Sequence, residues 1–338
     1  MIASSSESTV GPHSLVSIIL PVYNGEEFVG AALESALRQT YRNIEIIAVD
    51  DGSSDGTLAI LEAFSRADSR VKVVTQPNSG VARARNLAIA EAGGEFIAPL
   101  DADDLWEPTK IEQQVLRMLE AGEKTGLVYC WWVWIDCDGA VLDRSPRWRV
   151  EGNSLESLLQ INFTGNASVP LFRKNCVIEA GGYNEGLAAA AAGGCEDWEL
   201  ALRIATRHAI AVVPEILVGY RRRPGSMSTA CQTMWRSQEL VLSRIHQLRP
   251  DVSPSVFRAS ANQFAMYLAG LSFWAGNLGD AMRWAFRSGY FLPLHVGPYV
   301  ARVLLRRNHK RANPQIMTPG VPLEISNIPE PLIPYDRI

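Results

Sequence analysis

Apolar residues recur along the first hundred positions in two alternating rhythms. Val16 to Val22 is a short, continuous, β-branched run, which predicts a strand buried on both faces. From 26 to 39 the spacing becomes helical, with Phe28, Val29, Ala32, Leu33, Ala36 and Leu37 on one face. The rhythm then repeats. Ile44 to Val49 predicts a second strand, Leu58, Leu61 and Phe64 a second helix, and Val71 to Val74 a third strand. Gly80 to Ala92 reads as an Ala- and Arg-rich helix closed by Gly93-Gly94, and Phe96 to Leu100 as a fourth strand. Strands spaced by helices predict a parallel sheet with helices on both faces.

Sheets of this kind bind ligands beyond the carboxyl ends of their strands. Polar clusters follow three of the four strands: Tyr23-Asn24, the run from Asp50 to Thr57, and Asp101 to Asp104. They are expected to converge on one rim. Beyond residue 105 the pattern loosens. A helix is expected from Pro108 to Ala121, strand pieces near 126–135 and 140–143, and a short helix near 154–160. Ser168 to Phe172 reads as a strand and Asn175 to Ala180 as a helical turn. Residues 188–194 are Ala and Gly only, which suits a mobile loop or an Ala-rich helical turn. Cys195 opens a helix to about Arg207, and 210–213 and 215–220 are β-like. From Cys231 only helical spacing remains, at 233–249 and 258–290.

The expected organisation is therefore a flexible tail over 1–14, an α/β domain over 15–230, a helical appendage over 231–312, and a tail over 313–338. The six prolines of that last segment favour an extended or disordered chain. Within it all, the apolar run holding Trp131, Trp132 and Trp134 is too short to cross a bilayer. It reads as a core strand, with sugar stacking as the alternative, and alternation puts Trp132 on the face opposite Trp131.

Composition narrows the function. The chain has 338 residues, 47% hydrophobic and 20% charged, as a globular protein with a substantial core requires. A formal net charge of −4 carries no basic surplus, which sets nucleic acid aside as the main partner. Five scattered cysteines, with no Cys-x-x-Cys pair, argue against a disulfide framework or a zinc site and for a reducing compartment. Met1 to Ser14 lacks the basic region of a signal peptide, and no run of 18 apolar residues exists. A cytoplasmic protein is expected. Arg302, Arg306, Arg307 and Lys310 suit either a solvated helix end or contact with anionic lipid at the membrane's cytoplasmic face.

The candidate chemistry lies at Pro99-Leu100-Asp101-Ala102-Asp103-Asp104. Three carboxylates within four residues repel one another unless a cation sits among them. A hard divalent metal, Mg²⁺ or Mn²⁺, takes oxygen ligands and is commonly held by one or two carboxylates plus substrate phosphates. The alternative for this stretch alone is an Asp-rich turn capping the following helix.

Seven motifs now resemble, in order, those of family 2 glycosyltransferases. They are Ser17-Ile18-Ile19-Leu20-Pro21-Val22-Tyr23-Asn24, Val49-Asp50-Asp51-Gly52-Ser53-Ser54-Asp55-Gly56-Thr57, and Asn78-Ser79-Gly80 with Ala84-Arg85-Asn86. Next come Leu100-Asp101-Ala102-Asp103-Asp104, Gly181-Gly182-Tyr183-Asn184-Glu185, Glu196-Asp197-Trp198-Glu199-Leu200, and Tyr220-Arg221 with Ser226-Met227-Ser228. The likeness covers roughly residues 15–230. It implies a GT-A fold, a Rossmann-like nucleotide-diphospho-sugar transferase domain, with the helical appendage added.

The resemblance also implies roles. Pro21, Tyr23 and Asp51, with Asn24, would hold the donor's base and ribose, Asp51 accepting a base N–H. Asp50 would be structural. Arg85 and Asn86 would shape the floor of the nucleotide site. Asp101 would face ribose or metal, Asp103 would ligate Mn²⁺ or Mg²⁺, and Asp197 would be the general base with Glu196 beside it. The implied reaction is metal-dependent, inverting transfer of a single sugar from a nucleotide-sugar donor to a saccharide or lipid-linked hydroxyl. The Gln-x-x-Arg-Trp motif of processive relatives is absent. Many relatives place a metal-binding histidine where this chain has Arg223, and no histidine lies between 209 and 245. Either metal binding then relies on the aspartates and the diphosphate, or Arg223 supplies positive charge directly. Arg221, Arg222 and Arg223 read equally as a lid over the diphosphate or as a solvated loop. A nucleotidyltransferase is disfavoured because Asn24-Gly25-Glu26-Glu27 is acidic where a basic phosphate loop would be needed. A non-catalytic binding module is disfavoured by the full set of acids.

Overall fold

A computed structural model describes residues 11, 13–223, 230–289, 315–321 and 323. The first half follows the expected alternation: β1 (Val16–Val22), α1 (Val29–Leu37), β2 (Ile44–Asp50), α2 (Thr57–Ala67), β3 (Val71–Thr75), α3 (Val81–Glu91) and β4 (Phe96–Pro99). β3, β2, β1 and β4 lie side by side in that order and run parallel. Every residue of β1 and β2 is buried, so both faces are covered, as their unbroken apolar runs require. α3 packs on β1 and β2.

Beyond residue 105, where the sequence pattern loosens, the sheet becomes mixed. β5 (Leu105–Trp106) leads into α4 (Lys110–Glu120), β6 (Thr125–Ile135), β7 (Val141–Arg144), α5 (Leu155–Gln160), β8 (Leu171–Arg173), α6 (Lys174–Glu179), α7 (Gly186–Ala189), α8 (Glu196–Ala205) and β9 (Ala209–Arg221). β8 is antiparallel to both β4 and β6, β5 is antiparallel to β9, and β7 to β6. Only the pair β6 and β9 is parallel in this half. The two β-like pieces at 210–213 and 215–220 form one strand. Its partner register jumps from Cys130↔Val213 to Trp131↔Ile216, so Pro214 and Glu215 bulge out. Proline has no N–H for the ladder, which is the reason for the interruption. Trp131 and Trp132 fall on opposite faces, in different apolar clusters. The short helix α7 ends at Ala189, just inside the Ala- and Gly-rich stretch, and Ala192 beyond it is buried.

The appendage is helical, as its spacing predicts. α9 (Cys231–Leu248) is followed by α10 (Pro254–Trp274), which Ser253 caps, and by α11 (Leu278–Arg287), which Asn277 caps. α10 packs on α9 and α11 and reaches α5 of the sheet domain. The Trp198 ring on α8 stacks on Phe264 of α10, with centroids 6.1 Å apart.

The C-terminal segment was expected to be extended or disordered. Residues 315–318 are extended and lie against the sheet, and 318–321 turn back on themselves. Ile316 bridges Ala140, Val141 N–H donates to Gln315 O at 2.8 Å, and Met317 N–H donates to Gly139 O at 2.8 Å. Met317 is buried among Leu105, Trp131, Val133, Ile135, Val141 and Ile216. Leu323 N–H donates to Glu107 Oε2 at 3.1 Å. The N-terminal tail up to residue 10, Ser226-Met227-Ser228, Arg302 to Lys310 and most of 313–338 lie outside the described residues.

Candidate active site

Three strand ends meet along one rim, as the polar clusters predict. Val22 and Asp50 are in register, Asp51 N–H donates to Val22 O at 2.8 Å, and Leu100 N–H donates to Ile19 O at 2.9 Å. This sets the loops after β2, β1 and β4 side by side.

At the end of β1, Pro21 is buried within the strand while Tyr23 is exposed at the rim. Asn24 takes a left-handed backbone, φ 49°, and its Oδ1 accepts from Ser54 N–H at 2.8 Å. Asp50 turns inward and accepts from Ser53 N–H. The Asp51 carboxylate accepts from Ser79 N–H at 2.8 Å, Gly80 N–H at 2.9 Å and Gln76 Nε2 at 2.6 Å. It thereby sits at the N-terminus of α3, where an anion is favoured. Gly52, φ 75°, brings the backbone so close that a Cβ would stand 2.8 Å from Asn78 N.

The three acids after β4 separate into different environments. Asp104 is fully buried and is held by Asn166 Nδ2 at 2.5 Å, Ser168 Oγ at 2.6 Å and Arg221 N–H at 2.9 Å. Burial, then the charges of Asp103 and Asp101, push its carboxyl well above the usual range. It anchors the loop. Asp101 and Asp103 stay partly open, with side chains 27% and 23% exposed. Asp101 Oδ1 lies 2.5 Å from Arg85 Nη2, and Asp103 Oδ2 lies 2.7 Å from Arg223 Nε. Burial, then Asp101, raises the Asp103 carboxyl, and Arg223 offsets part of that. Among the described residues, no three His, Cys, Asp or Glu side chains close into a metal cage. Two open carboxylates do fit a hard divalent cation whose remaining ligands are phosphate oxygens and water.

The arginine triplet does not act as a unit. Arg221 is buried, donates to Asp103 O at 2.7 Å and to Asp136 O and Cys137 O, and lies over the Phe28 ring. Arg222 lies 4.4 Å over the Trp134 ring. Arg223 pairs with the Asp103 carboxylate through its side chain, whereas Arg221 meets Asp104 through its backbone N–H, so the reading of all three as one lid, or all three as one solvated loop, is replaced by three separate roles.

Arg85 lies between Asp101 and Tyr183. Its guanidinium is buried 5.1 Å from the Tyr183 ring centroid. Burial opposes its charge, but Asp101, Tyr183 and Asp197 together raise its pKa. Asn86 fixes the neighbouring loop: its Oδ1 accepts from Tyr183 N–H at 2.7 Å, and its Nδ2 donates to Tyr183 O and Glu185 Oε1. Asp197 opens α8 and accepts from Trp198 N–H at 2.8 Å. Burial pushes its carboxyl up to about 7; Arg85 and the Trp198 N–H oppose this, while Glu196 and Asp101 add to it. Glu196 is buried and turns back to accept from Gly194 N–H at 2.9 Å.

The structure thus brings Arg85, Asp101, Asp103, Asp197 and Arg223 together electrostatically, with Tyr23, Asn24 and Asp51 along the same rim. Tyr183, Asn166 and Ser168 complete the site. Tyr183 lies inside a quoted motif; Asn166 and Ser168 carry no signal of their own, since each meets Asp104 only through the fold.

Residues 17–172 match the sequence model described as Glycosyl transferase family 2. This segment belongs to the family. It is 31% identical over 268 residues to the uncharacterized glycosyltransferase RC0461 of Rickettsia conorii, covering 72% of this chain and 41% of that protein. It is 48% identical over 107 residues to the UDP-Glc:alpha-D-GlcNAc-diphosphoundecaprenol beta-1,3-glucosyltransferase WfgD of Escherichia coli, covering 31% of this chain and 42% of WfgD. The chain spans less than half the length of these curated relatives. Among solved structures, the mannosyltransferase PcManGT of Pyrobaculum calidifontis, in complex with GDP-Man and Mn²⁺, aligns with a TM-score of 0.54 at 20% identity, over 88% of this chain and 81% of that one. The GT-A fold implied by the motifs is the fold observed. Among the described residues, no helix is long and apolar enough to cross a membrane.

Proposed function

We propose that this chain transfers one sugar from a nucleotide-sugar donor to a hydroxyl acceptor, with inversion at the anomeric carbon. The observation that carries the reading is the buried Arg85, which pairs with Asp101 on the donor side and feels Asp197 on the acceptor side. Asp51, Tyr23 and Asn24 hold the base and ribose. Asp103 and Asp101 would hold Mn²⁺ or Mg²⁺ together with the donor's diphosphate. When bound, the metal would neutralise charge that builds on the leaving diphosphate. Arg223 adds positive charge at the same place.

Asp197 takes the proton from the acceptor hydroxyl as its oxygen attacks the anomeric carbon. The C–O bond to the diphosphate breaks with its electron pair leaving on the phosphate oxygen. A carboxyl poised near 7 suits this work, because it is basic enough to accept a proton and still ionised at neutral pH. One base and one direct displacement invert the centre. The names of similar proteins, with UDP-Glc and a diphosphoundecaprenol acceptor in one and GDP-Man with Mn²⁺ in another, support nucleotide-sugar use and a saccharide or lipid-linked acceptor. A role in polysaccharide or glycolipid assembly, in the cytoplasm and at the membrane face where the acceptor is lipid-linked, belongs to the same proposal.

Thermal-shift measurements with UDP, GDP, CDP and dTDP, each with and without Mn²⁺, test it. One diphosphate should raise the melting temperature more in the presence of metal. No shift with any, together with no nucleoside diphosphate release from the matching sugar donors, would overturn the reading.

A further inference from the structure

A buried ion pair with no part in the chemistry above stands on α8, the helix that carries Asp197. Glu199 and Arg203 face each other one turn apart, with side chains 0% and 4% exposed. Arg203 Nε donates to Glu199 Oε1 at 2.9 Å and its Nη2 to Oε2 at 2.5 Å, the two-point fork that a guanidinium makes with a carboxylate. A pair buried this deeply seldom stabilises a fold more than an apolar pair of similar volume, because desolvation offsets the attraction. The remaining donors of Arg203 have other work. Nη2 also donates to Gly182 O at 2.7 Å, and Nη1 donates to Ala180 O. On its other side Glu199 meets Arg244 of α9, whose Nε lies 3.5 Å from Oε1.

The loop that Arg203 grips has little stiffness of its own. Gly181 and Gly182 both take a left-handed backbone, φ 84° and 69°. The next residue is Tyr183, whose buried ring centroid lies 5.1 Å from the Arg85 guanidinium. Asn86, the neighbour of Arg85 on α3, holds the backbone N–H and O of Tyr183. Residues 180–183 are therefore clamped from two helices, by Asn86 on α3 and by Arg203 on α8. We infer that Arg203, with Glu199 as its counter-ion, is a positioning residue for sugar transfer. By gripping Ala180 and Gly182 it keeps the Tyr183 ring against Arg85, and so keeps Arg85 on Asp101, 2.5 Å away. This rests on the glycosyl-transfer reading above, and it adds to the site a residue beyond the stretch that matches the family's sequence model. Lysine cannot replace it. A single ammonium neutralises Glu199 but cannot span a carboxylate and two carbonyls at once.

The test uses the full chain with Mn²⁺ and with UDP-glucose, UDP-N-acetylglucosamine and GDP-mannose as donor probes. Nucleoside diphosphate release and melting temperature are both followed. Arg203→Lys should lower kcat by about tenfold while the donor KM stays within about twofold, as when geometry is lost at the reacting centre alone. The paired change Glu199→Leu with Arg203→Met removes the fork without stranding a buried charge, so it should melt within a few degrees of the wild type and show the same loss of kcat. In a Tyr183→Leu chain, Arg203→Lys should cost nothing further, since the ring through which Arg203 acts is gone. Full kcat in Arg203→Lys would show that charge balance alone is needed and would overturn the positioning role. A second tenfold loss on top of Tyr183→Leu would overturn the route through the ring. No wild-type release from any donor would overturn glycosyl transfer itself, and the role of Arg203 with it.

Discussion

Arg85 Nη2 lies 2.5 Å from Asp101 Oδ1, and the same buried guanidinium lies within the field of Asp197. One cation therefore balances two acids that would otherwise repel. Replacing it with an apolar residue strands both.

Arg85→Met should cost about 3–5 kcal/mol of stability, the usual result of removing one partner from a buried pair. It should also push the Asp197 carboxyl further up. Urea unfolding and the pH profile of donor turnover check the two effects separately, and an unchanged profile would show that Arg85 does not tune Asp197.

Asp197→Asn should lower transfer by about 10²–10⁴. In the wild type, turnover should rise with pH through about 7 as the carboxyl ionises. Stability should move the other way. The folded state holds this proton more tightly than the unfolded chain, so the contribution is full below the ordinary carboxylate value and is lost as pH rises through about 7. Glu107, raised to about 7 by burial, has the same sign. Asp197→Asn should thus be more stable than the wild type at pH 8 and not at pH 4. Melting curves at the two values decide it.

Asp103→Asn should remove the metal-dependent part of the nucleotide thermal shift while leaving the metal-free part near the wild-type level. Arg223→Ala should lower the Mn²⁺ concentration needed for half-maximal shift, because Arg223 Nε, 2.7 Å from Asp103 Oδ2, competes with a cation for that oxygen. A higher Mn²⁺ requirement would instead make Arg223 a helper of the metal.

Met317→Ala should destabilise the chain by about 2–5 kcal/mol, as for other buried Met deletions. Met317 is 3% exposed against Leu105 and Trp131. An effect within 0.5 kcal/mol of zero would mean that the segment contributes nothing to the sheet.

The first half of the fold was legible because its strands are buried on both faces and its helices are amphipathic, so β1 spans Val16–Val22 as read. The second half was less so. Pro214 and Glu215 look like a break between two strands, and only the β6 register reveals one bulged strand. The acids were legible as a group but not as individuals: nothing in Asp101 to Asp104 says that Asp104 is the anchored one, since Asn166, Ser168 and the Arg221 N–H arrive from distant positions. Three adjacent arginines suggest one surface, yet strand alternation and a turn send them to three partners.

The docked segment Gln315–Val321 also has a kinetic consequence. Leu323 and Glu107 are 216 positions apart, and Arg38 and Pro319, joined by a hydrogen bond, 281 apart. Pairings this distant in sequence are slow to form, because they wait on the ordering of the chain between them. The clasp should therefore form after the sheet it closes and open before it. Native-state hydrogen exchange would then show the amides of Val141 and Met317 released together, in an opening step smaller than global unfolding.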